Sequence, residues 1–282
     1  MKKLLVFVFS VVFGSCQKEG CTDPLATNFD ENASQEDGSC DYTNSPYYTI
    51  IPDTNFEDKL IEFGYDDVTD GKVLTSNINN VTELWVQYSN ISDLTGIEDF
   101  VELKKLMCFN NYLLSLDLSN NIKLTKLSCT HNYLSDGLNL SNNLLLDSLS
   151  YSPRPFSPHL STLNLKNNLN LKYLYVYGGK LTSLDLSNNI NLSTLICGFN
   201  QLTSLDLSNN INLIELQCSH NQQLTCLNLK NGNNQNLELQ AVFNQNLNCI
   251  EVDDQAYSTA NWTNIDAGTT FSTNCNYPAG CF

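Results

Sequence analysis

The most constraining feature of this sequence is a 21-residue segment that occurs twice in succession. LTSLDLSNNINLSTLICGFNQ occupies residues 181–201, and LTSLDLSNNINLIELQCSHNQ follows at residues 202–222. A period of about 20 to 50 residues is typical of a solenoid, because one unit cannot bury its apolar side until a neighbour stacks on it. The sequence therefore predicts a long stack of turns, and such a regular surface suits binding better than catalysis.

The pattern LxxLxLxxN extends well beyond this pair. Its copies begin, at spacings of 21 to 25 residues, with Val81, Leu103, Leu124, Leu146, Leu171, Leu192 and Leu213. This array resembles the leucine-rich repeat family over roughly residues 81–252. The family's LxxLxCxxN hallmark is carried by Leu195, Cys197 and Asn200. The first copy is similar to the 22-residue internalin type.

Each later repeat contains a shorter one, since Leu184 and Asn189 repeat the offsets of Leu195 and Asn200. Alternating apolar and polar residues predict a strand in each half. The array thus resembles the nested 21-residue class. It implies a mainly β, right-handed leucine-rich repeat solenoid with two parallel sheets, a small α-helical N-terminal cap and a disulfide-stabilised C-terminal cap. Two rows of asparagines are expected to bind turn backbone groups: Asn121, Asn143, Asn168, Asn189 and Asn210 on one edge, and Asn111, Asn132, Asn200 and Asn221 on the other.

Five segments are predicted along the chain. Residues 1–15 form a lipoprotein signal peptide, and residues 16–46 form a lipid anchor and an acidic, disulfide-closed linker module. Residues 47–80 form the N-terminal cap, residues 81–252 the solenoid, and residues 253–282 the C-terminal cap.

The N-terminus indicates export. Lys2 and Lys3 precede an apolar run, residues 4–13, that is too short to span a membrane and is typical of a signal peptide. Small residues directly before Cys16 resemble a bacterial lipobox, which implies lipidation of Cys16 and a bacterial outer-membrane lipoprotein exposed on the cell surface. An ordinary secretory signal with an incidental cysteine is the alternative.

Charge and hydropathy limit the classes of partner. The formal net charge is −16 at pH 7, which would repel nucleic acid. A basic or metal-bridged partner would be attracted, although the acidity also serves solubility. No second apolar run is long enough to enter a membrane, so membrane contact is expected through the lipid anchor only.

The eleven cysteines fall into separate classes. Cys16 is the lipid candidate, and Cys21 and Cys40 bracket a compact segment and are expected to pair in an oxidising compartment. The inward position of LxC is held by Cys108, Cys129, Cys197 and Cys218, which are expected to be buried free thiols.

Four cysteines remain at the C-terminal end, and spacing alone leaves three connectivities open. Cys226 and Cys249 occupy equivalent outward positions one turn apart, which favours one bridge. The tail from Cys249 to Cys275 resembles a C-terminal cap of bacterial surface repeat proteins, and that resemblance implies a Cys249–Cys275 bond instead.

The acidic linker module raises the question of calcium. Asp23, Asp30, Asn32 and Asp37 offer oxygen ligands for weak calcium binding. Their spacing is not that of an EF-hand, so a plain spacer is the favoured interpretation and no other cofactor is expected.

The two faces of the predicted solenoid differ in composition. Outward positions on one face are monotonous serines and aspartates, whereas the other face is varied and rich in aromatic residues, which are typical binding anchors. Between Leu149 and Leu160 a proline-rich insertion, YSPRPFSPH, interrupts the array and is predicted to form a loop beside this varied face. The alternative is a tolerated insertion packed over a tyrosine ladder. The predicted ligand-binding residues are Trp85, Met107, Phe109, Tyr151, Phe156, Tyr173, Tyr175, Tyr177 and Ile196.

Catalytic motifs do not appear in the sequence. GxSxG, HExxH, the P-loop and GxGxxG are absent, and His131 and His220 lie four turns apart. The sequence therefore predicts a non-catalytic surface protein that binds another protein, as in adhesion. The alternative is a glycan-binding lipoprotein whose exposed Tyr and Trp rings stack on sugars.

Overall fold

The computed structural model describes residues 18–23, 26, 28–41, 47–134, 137–155 and 159–282. The chain divides into two compact units, Met1–Tyr47 and Tyr48–Phe282. In chain order the strands are β1 Glu19–Gly20, β2 Gln35–Glu36, β3 Tyr48–Ile50, β4 Lys72–Leu74, β5 Glu83–Trp85, β6 Lys105–Met107, β7 Lys126–Ser128, β8 Ser148–Tyr151, β9 Tyr173–Val176, β10 Thr194–Ile196, β11 Ser204–Asp206, β12 Glu215–Gln217, β13 Cys226–Asn228, β14 Glu238–Gln240, β15 Cys249–Glu251 and β16 Thr270–Ser272. The helices are α1 Thr54–Glu62, α2 Thr75–Ile78 and α3 Gln255–Asn261, with short 3-10 helices at Ile97–Asp99 and Asn234–Asn236.

The N-terminal unit is a small disulfide-closed module. Strands β1 and β2 pair in parallel, and Cys21 and Cys40 form a disulfide with a Cα–Cα distance of 4.7 Å. The Asn28 side chain joins the ends of the loop, because its amide nitrogen donates to the Ser39 carbonyl and its oxygen accepts the Asp41 N–H. Crosslinks of this kind replace the hydrophobic core that so short a segment cannot build.

The N-terminal cap covers the first turn of the solenoid. Strands β3 and β4 pair antiparallel, and helix α1 buries Phe56 and Leu60. The Asp53 side chain caps α1 by accepting the Phe56 N–H at 3.0 Å. Its second oxygen accepts the Ser92 N–H at 2.7 Å. One carboxylate therefore fixes the helix and attaches it to the first repeat.

One parallel sheet contributes a single short strand to each turn. Its eight strands lie in the order β5-β6-β7-β8-β9-β10-β12-β14. The leucine at the centre of each strand is in register with the central leucines of the neighbouring strands, as Leu195 is with Leu174 and Leu216. These leucines are fully buried and form the thin core that the repeat predicts.

A row of buried residues, all small except for one tyrosine, lies directly beside the leucine row. It consists of Val86, Cys108, Cys129, Tyr151, Val176, Cys197, Cys218 and Ala241, all of which are buried. The four cysteines in it have no disulfide partner. The expectation of buried free thiols at the LxC position is confirmed.

Asparagine side chains connect successive turns at one edge of this sheet. Asn200 donates its amide hydrogens to the carbonyl oxygen of Val176, one turn earlier, at 2.7 Å and to that of Cys197 at 3.1 Å. Its oxygen accepts the Leu181 N–H at 3.2 Å. Asn111, Asn132 and Asn221 repeat these bonds in their own turns. Each side chain thus satisfies backbone groups that the tight turn leaves unpaired.

A second row of buried asparagines runs along the other edge. Asn189 donates to the carbonyl oxygens of Leu165 and Asn168, at 3.2 and 2.9 Å. Asn210 donates to those of Leu186 and Asn189 in the same way. The amide oxygens of this row accept no hydrogen bond from the described residues. The second row therefore contributes fewer bonds per turn than the first, and both rows are structural as the sequence predicts.

The second parallel sheet is shorter and belongs to the C-terminal turns. It contains four strands in the order β11-β13-β15-β16. The central residues of its first three strands, Leu205, Leu227 and Ile250, are at most 1% exposed, and Phe271 of β16 is 6% exposed. In the preceding turns the equivalent segments around Leu116 and Leu163 do not form strands, and these two leucines are each 8% exposed. The opposite face is therefore most completely buried at β11, β13 and β15.

Two disulfides and one helix close the C-terminal end. Cys249 is bonded to Cys275, and Cys226 to Cys281. Trp262, which follows α3, buries its ring and donates its indole N–H to the Leu237 carbonyl at 3.0 Å. The predicted fold class is confirmed: the protein is a mainly β solenoid with parallel sheets, few helices and disulfides near its C-terminus.

The asparagine row predicts a large difference between two similar substitutions. Asn200→Ala should lower the free energy of unfolding by about 3 kcal/mol, because it leaves buried backbone groups of Val176 and Leu181 without partners. Asn209→Ala is the matched control, since the exposed Asn209 makes one bond, to the Ser187 carbonyl. It should cost less than about 1 kcal/mol. Urea denaturation of both variants measures the difference, and equal costs would contradict a structural role for the row.

Candidate functional site

The outward face of the eight-stranded sheet carries two rows of side chains in register. The first row reads Glu83, Lys105, Lys126, Ser148, Tyr173, Thr194, Glu215 and Glu238. The second reads Trp85, Met107, Ser128, Ser150, Tyr175, Ile196, Gln217 and Gln240. Sequence-predicted residues therefore lie in two groups, which the serine-bearing strands β7 and β8 separate.

The first group lies at the N-terminal end of the sheet. Trp85 and Met107 are neighbours on β5 and β6, and Trp85 is half exposed. Phe109 follows β6 and packs edge-on against the Tyr88 ring, with 5.3 Å between the ring centroids. This group presents a partly exposed apolar surface beside the Glu83–Lys105 ion pair.

The second group lies at the centre of the sheet. Tyr173 and Tyr175 project from β9, and Ile196 lies beside Tyr175 on β10. Burial raises the pKa of both tyrosines, and the Glu215 carboxylate adds to the rise at Tyr173. Both hydroxyls therefore stay protonated at neutral pH and can donate hydrogen bonds.

A stack of rings continues from this second group along the sheet edge. Tyr175 packs on Tyr177 at 5.7 Å between centroids, and Tyr177 packs on Phe199 at 5.0 Å. Phe199 stacks on His220 at 3.8 Å, and His220 stacks on Phe243 at 4.3 Å. We call these five residues the aromatic ridge. It spans four successive turns, and Phe199 and Phe243 are about half exposed.

Sequence reasoning missed three residues of the ridge, and the backbone explains why. Strict alternation after Cys197 would direct Phe199 inward. Instead Phe199, His220 and Phe243 have positive φ angles of 56°, 62° and 61°. This left-handed conformation reverses the chain and turns each ring outward. The sequence does contain a signal for these residues. Each of them directly precedes a buried asparagine at the edge of the sheet, as in GFN, SHN and VFN.

Tyr151 is a correction to the predicted site. We expected it on the surface, but its side chain is 2% exposed. It occupies the inward position that Cys129 holds in the preceding turn. Its hydroxyl accepts the Leu160 N–H at 3.3 Å, so its polar end is satisfied inside the protein. Tyr151 therefore packs the insertion onto the core and does not face a ligand.

The insertion is also held down from outside by Arg154. The guanidinium lies over the Tyr112 ring at 4.7 Å and over the Tyr133 ring at 5.5 Å. Its Nε donates to the carbonyl oxygens of Asn111 and His131. These contacts lie one and two turns toward the N-terminus, away from Tyr173. They favour the interpretation of a tolerated, packed insertion for the part that the structure describes.

Two predicted residues, Phe156 and the lipidation candidate Cys16, lie outside the described residues. Both stay predictions.

The opposite face is regular and polar. Asp117 and Asp185 each accept the N–H of the serine two residues later, Ser119 and Ser187. The Ser119 N–H lowers the pKa of Asp117, and the Ser187 hydroxyl and N–H together lower the pKa of Asp185. A lowered pKa is the opposite of what a general acid needs, and the hydrogen bonds to Ser119 and Ser187 are those of turn caps.

The buried thiols are equally unsuited to chemistry. Burial raises the pKa of Cys129 and of Cys218 to about 12. A thiol must ionise to act as a nucleophile or metal ligand, so these cysteines behave as small core residues.

The calcium candidates are engaged by the module itself. The Lys18 ammonium pairs with Asp30 at 2.6 Å and lowers the pKa of that carboxyl. Hydrogen bonds from Ser39 lower the pKa of Asp37. Among the described residues, one cluster of three His, Cys, Asp or Glu side chains has metal-like spacing, and it is Cys21, Glu36 and Cys40. Two of those residues form the disulfide, so calcium binding at Asp23, Asp30, Asn32 and Asp37 stays a prediction.

No helix in the described part of the chain is both long and apolar enough to cross a membrane.

Comparison with solved structures places this fold among leucine-rich repeat proteins. The functional domain of InlJ from Listeria monocytogenes, which includes a cysteine ladder, is 26% identical, with a TM-score of 0.50 over 73% of this chain. The chain spans 52% of that domain's length. Internalin C2 from Listeria monocytogenes is 19% identical, with a TM-score of 0.57 over 79% of this chain and 95% of its own. No protein-family model and no curated protein matches the sequence.

The packed insertion predicts a stabilising role for Arg154. Arg154→Ala should lower the free energy of unfolding by about 1 to 2 kcal/mol, since it removes two ring contacts and the bonds to Asn111 and His131. Arg154→Lys keeps the charge but loses the planar stacking and should recover little of this loss. Chemical denaturation measures both variants. A change in the free energy of unfolding below about 0.3 kcal/mol in Arg154→Ala would show that the Arg154 contacts do not stabilise the insertion.

Proposed function

We propose that this protein is a non-catalytic bacterial surface protein that binds another protein through the outward face of the eight-stranded sheet. The aromatic ridge would form the centre of the contact, with Trp85, Met107 and Phe109 contributing at its N-terminal end. The similarity to internalins, whose fold is one of protein interaction and adhesion, supports a protein ligand.

The proposal rests on which residues occupy the backbone position with a positive φ angle, directly before the buried asparagine of most turns. A non-glycine residue there costs roughly 1 kcal/mol, and the fold accepts glycine or asparagine at lower cost. Gly178 and Asn110 hold the equivalent position in other turns. Three consecutive turns nevertheless carry Phe199, His220 and Phe243. Folding does not require aromatic rings at this position, so we infer that binding does.

The geometry of the ridge favours a protein over a sugar. Sugar rings stack on the open faces of aromatic side chains. In the ridge those faces are largely used up, because Phe199, His220 and Phe243 stack on one another with interplanar angles of 23° and 16°. What remains exposed is a row of ring edges, which suits an apolar groove or helix of a partner protein.

The second candidate function, glycan binding, rests on Trp85. Its ring is half exposed at the first strand of the sheet, so it is a suitable platform for one sugar ring. A glycan site would therefore lie at the N-terminal end and depend on Trp85 alone. A protein site would need the ridge, which begins four strands away.

The proposal includes a place in the cell. The apolar run before Cys16 and the three disulfides fit an exported protein. We infer that lipid on Cys16 anchors it in the outer membrane with the solenoid facing outward.

Removing the rings without disturbing the backbone tests the binding site. The double substitution Phe199→Asn and Phe243→Asn places a residue that tolerates the left-handed conformation at both positions. Unfolding free energy should change by less than about 1 kcal/mol, whereas affinity for the protein partner should fall at least about tenfold.

The partner would be captured by proximity labelling on intact cells and then purified for surface plasmon resonance. Phe63→Ala, which removes an exposed ring on the N-terminal cap, is the control and should leave affinity unchanged. Unchanged affinity in the ridge variant would rule out the ridge. Loss of glycan-array binding in Trp85→Ala, with the ridge variant unaffected, would favour the sugar alternative.

Location is tested separately by protease treatment of intact cells. Repeat peptides should be released into the medium, while the acylated Cys16 peptide stays with the cells and is identified by mass spectrometry. Cys16→Ala should abolish that attachment. Protection of the repeats until lysis would place the protein in the periplasm and contradict the surface proposal.

A further inference from the structure

A row of exposed aliphatic side chains lies on the other edge of the eight-stranded sheet. One such residue stands on each of six successive turns, between 46% and 58% exposed. They are Val101, Ile122, Leu144, Leu169, Ile190 and Ile211. We call this row the aliphatic stripe. At the spacing of stacked strands it is roughly 24 Å long.

The fold does not require apolar residues at these positions. Each stripe residue lies inside a tight turn. The carbonyl of the residue before it accepts the N–H of the residue two positions after it, as the Asn189 carbonyl accepts the Leu192 N–H at 3.0 Å. Ile190 is thus the first central residue of its turn, a position that proline and polar residues suit well and where a β-branched side chain gains nothing. The aliphatic side chains are therefore unexplained by the turn itself.

The backbone under the stripe is held firmly. The side chain of Asn191 donates to the Leu169 carbonyl at 2.9 Å, and that of Asn212 donates to the Ile190 carbonyl at 2.9 Å. Asn170 does the same for Leu144. A fixed backbone presents the side chains at a constant spacing. Little conformational entropy of this surface would therefore be lost when a partner binds to it.

Glu102 and Lys123, which follow Val101 and Ile122 in the first two turns of the stripe, form an ion pair. The positions that flank the stripe in its last four turns are uncharged. The next positions in these turns are Leu145, Asn170, Asn191 and Asn212, and the preceding exposed positions are Asn142, Asn167, Asn188 and Asn209. The chain as a whole has a net charge of −16. This edge is therefore a surface along which two copies can approach without close repulsion between like charges.

We propose that the aliphatic stripe is a homodimer interface, covered by the stripe of a second copy of this chain. A ridge of side chains at a constant period fits a surface with the same period, and a second copy supplies it. Six half-exposed aliphatic side chains leave on the order of 500 Å² per copy. Two copies would then bury roughly 1,000 Å², which is near the lower limit for a specific interface.

The location of the stripe makes the dimer compatible with ligand binding. Ile190 precedes β10, whereas Phe199 follows it, so stripe and aromatic ridge lie at opposite ends of the strands. The dimer would leave both ridges open. The inference does not rest on the proposed function, because it concerns a different edge of the sheet.

Sedimentation velocity of the full chain tests the proposal from about 1 to 200 µM. The wild-type sedimentation coefficient should rise with concentration from the monomer to the dimer value. The double substitution Leu169→Asn and Ile190→Asn, which suits turn positions, should weaken dimerisation at least tenfold. Leu114→Asn, which changes a 62% exposed leucine outside the stripe, is the matched control and should dimerise like the wild type.

Circular dichroism confirms that each variant is folded before it is compared. A wild-type chain that stays monomeric at the highest concentration overturns the proposal. So does dimerisation that the stripe variant leaves unchanged, or that Leu114→Asn weakens equally. None of these results bears on the ridge, which has its own binding test.

Discussion

Backbone groups at tight corners must find hydrogen-bond partners inside the protein, and this requirement governs the whole solenoid. A turn that bends sharply twice cannot pair all its amides with its neighbours. The buried asparagines resolve this: Asn200 satisfies groups of Val176, Leu181 and Cys197, which belong to two successive turns. The side chain is therefore both the cap of one corner and the link to the next. Stacking of the leucines follows from this geometry, because the corners fix the height of every strand.

Once the corners and the core are fixed, the remaining positions are available for function. Inward positions accept leucine or a small residue, and corner positions accept asparagine. Outward positions on the eight-stranded sheet are not restricted in this way, and there the composition changes from Lys105 and Lys126 to Tyr173 and then to Glu215. Such variation on an otherwise repetitive frame is what a binding surface needs, since it distinguishes one turn from another.

Much of the frame could be read from the sequence. The repeat period predicted the stacked strands, and the LxC and asparagine offsets predicted buried thiols and the corner bonds. The binding surface was less accessible. Tyr151 was expected outside although alternation from Leu149 directs it inward, and the proline-rich insertion obscured that pattern. Phe199 was overlooked for the opposite reason, because its positive φ interrupts the alternation. A period of two describes a strand but fails at the residue where the strand ends.

The four buried thiols place a condition on biogenesis. An oxidising environment is needed to join Cys226 to Cys281 and Cys249 to Cys275. Under the export that we propose, the same oxidants would meet Cys108, Cys129, Cys197 and Cys218 while the chain is still extended. Mispairing is prevented where the leucine core encloses these thiols before the terminal bonds form, since a buried thiol with a high pKa no longer exchanges. Rapid local collapse of neighbouring turns would thus favour correct oxidative maturation.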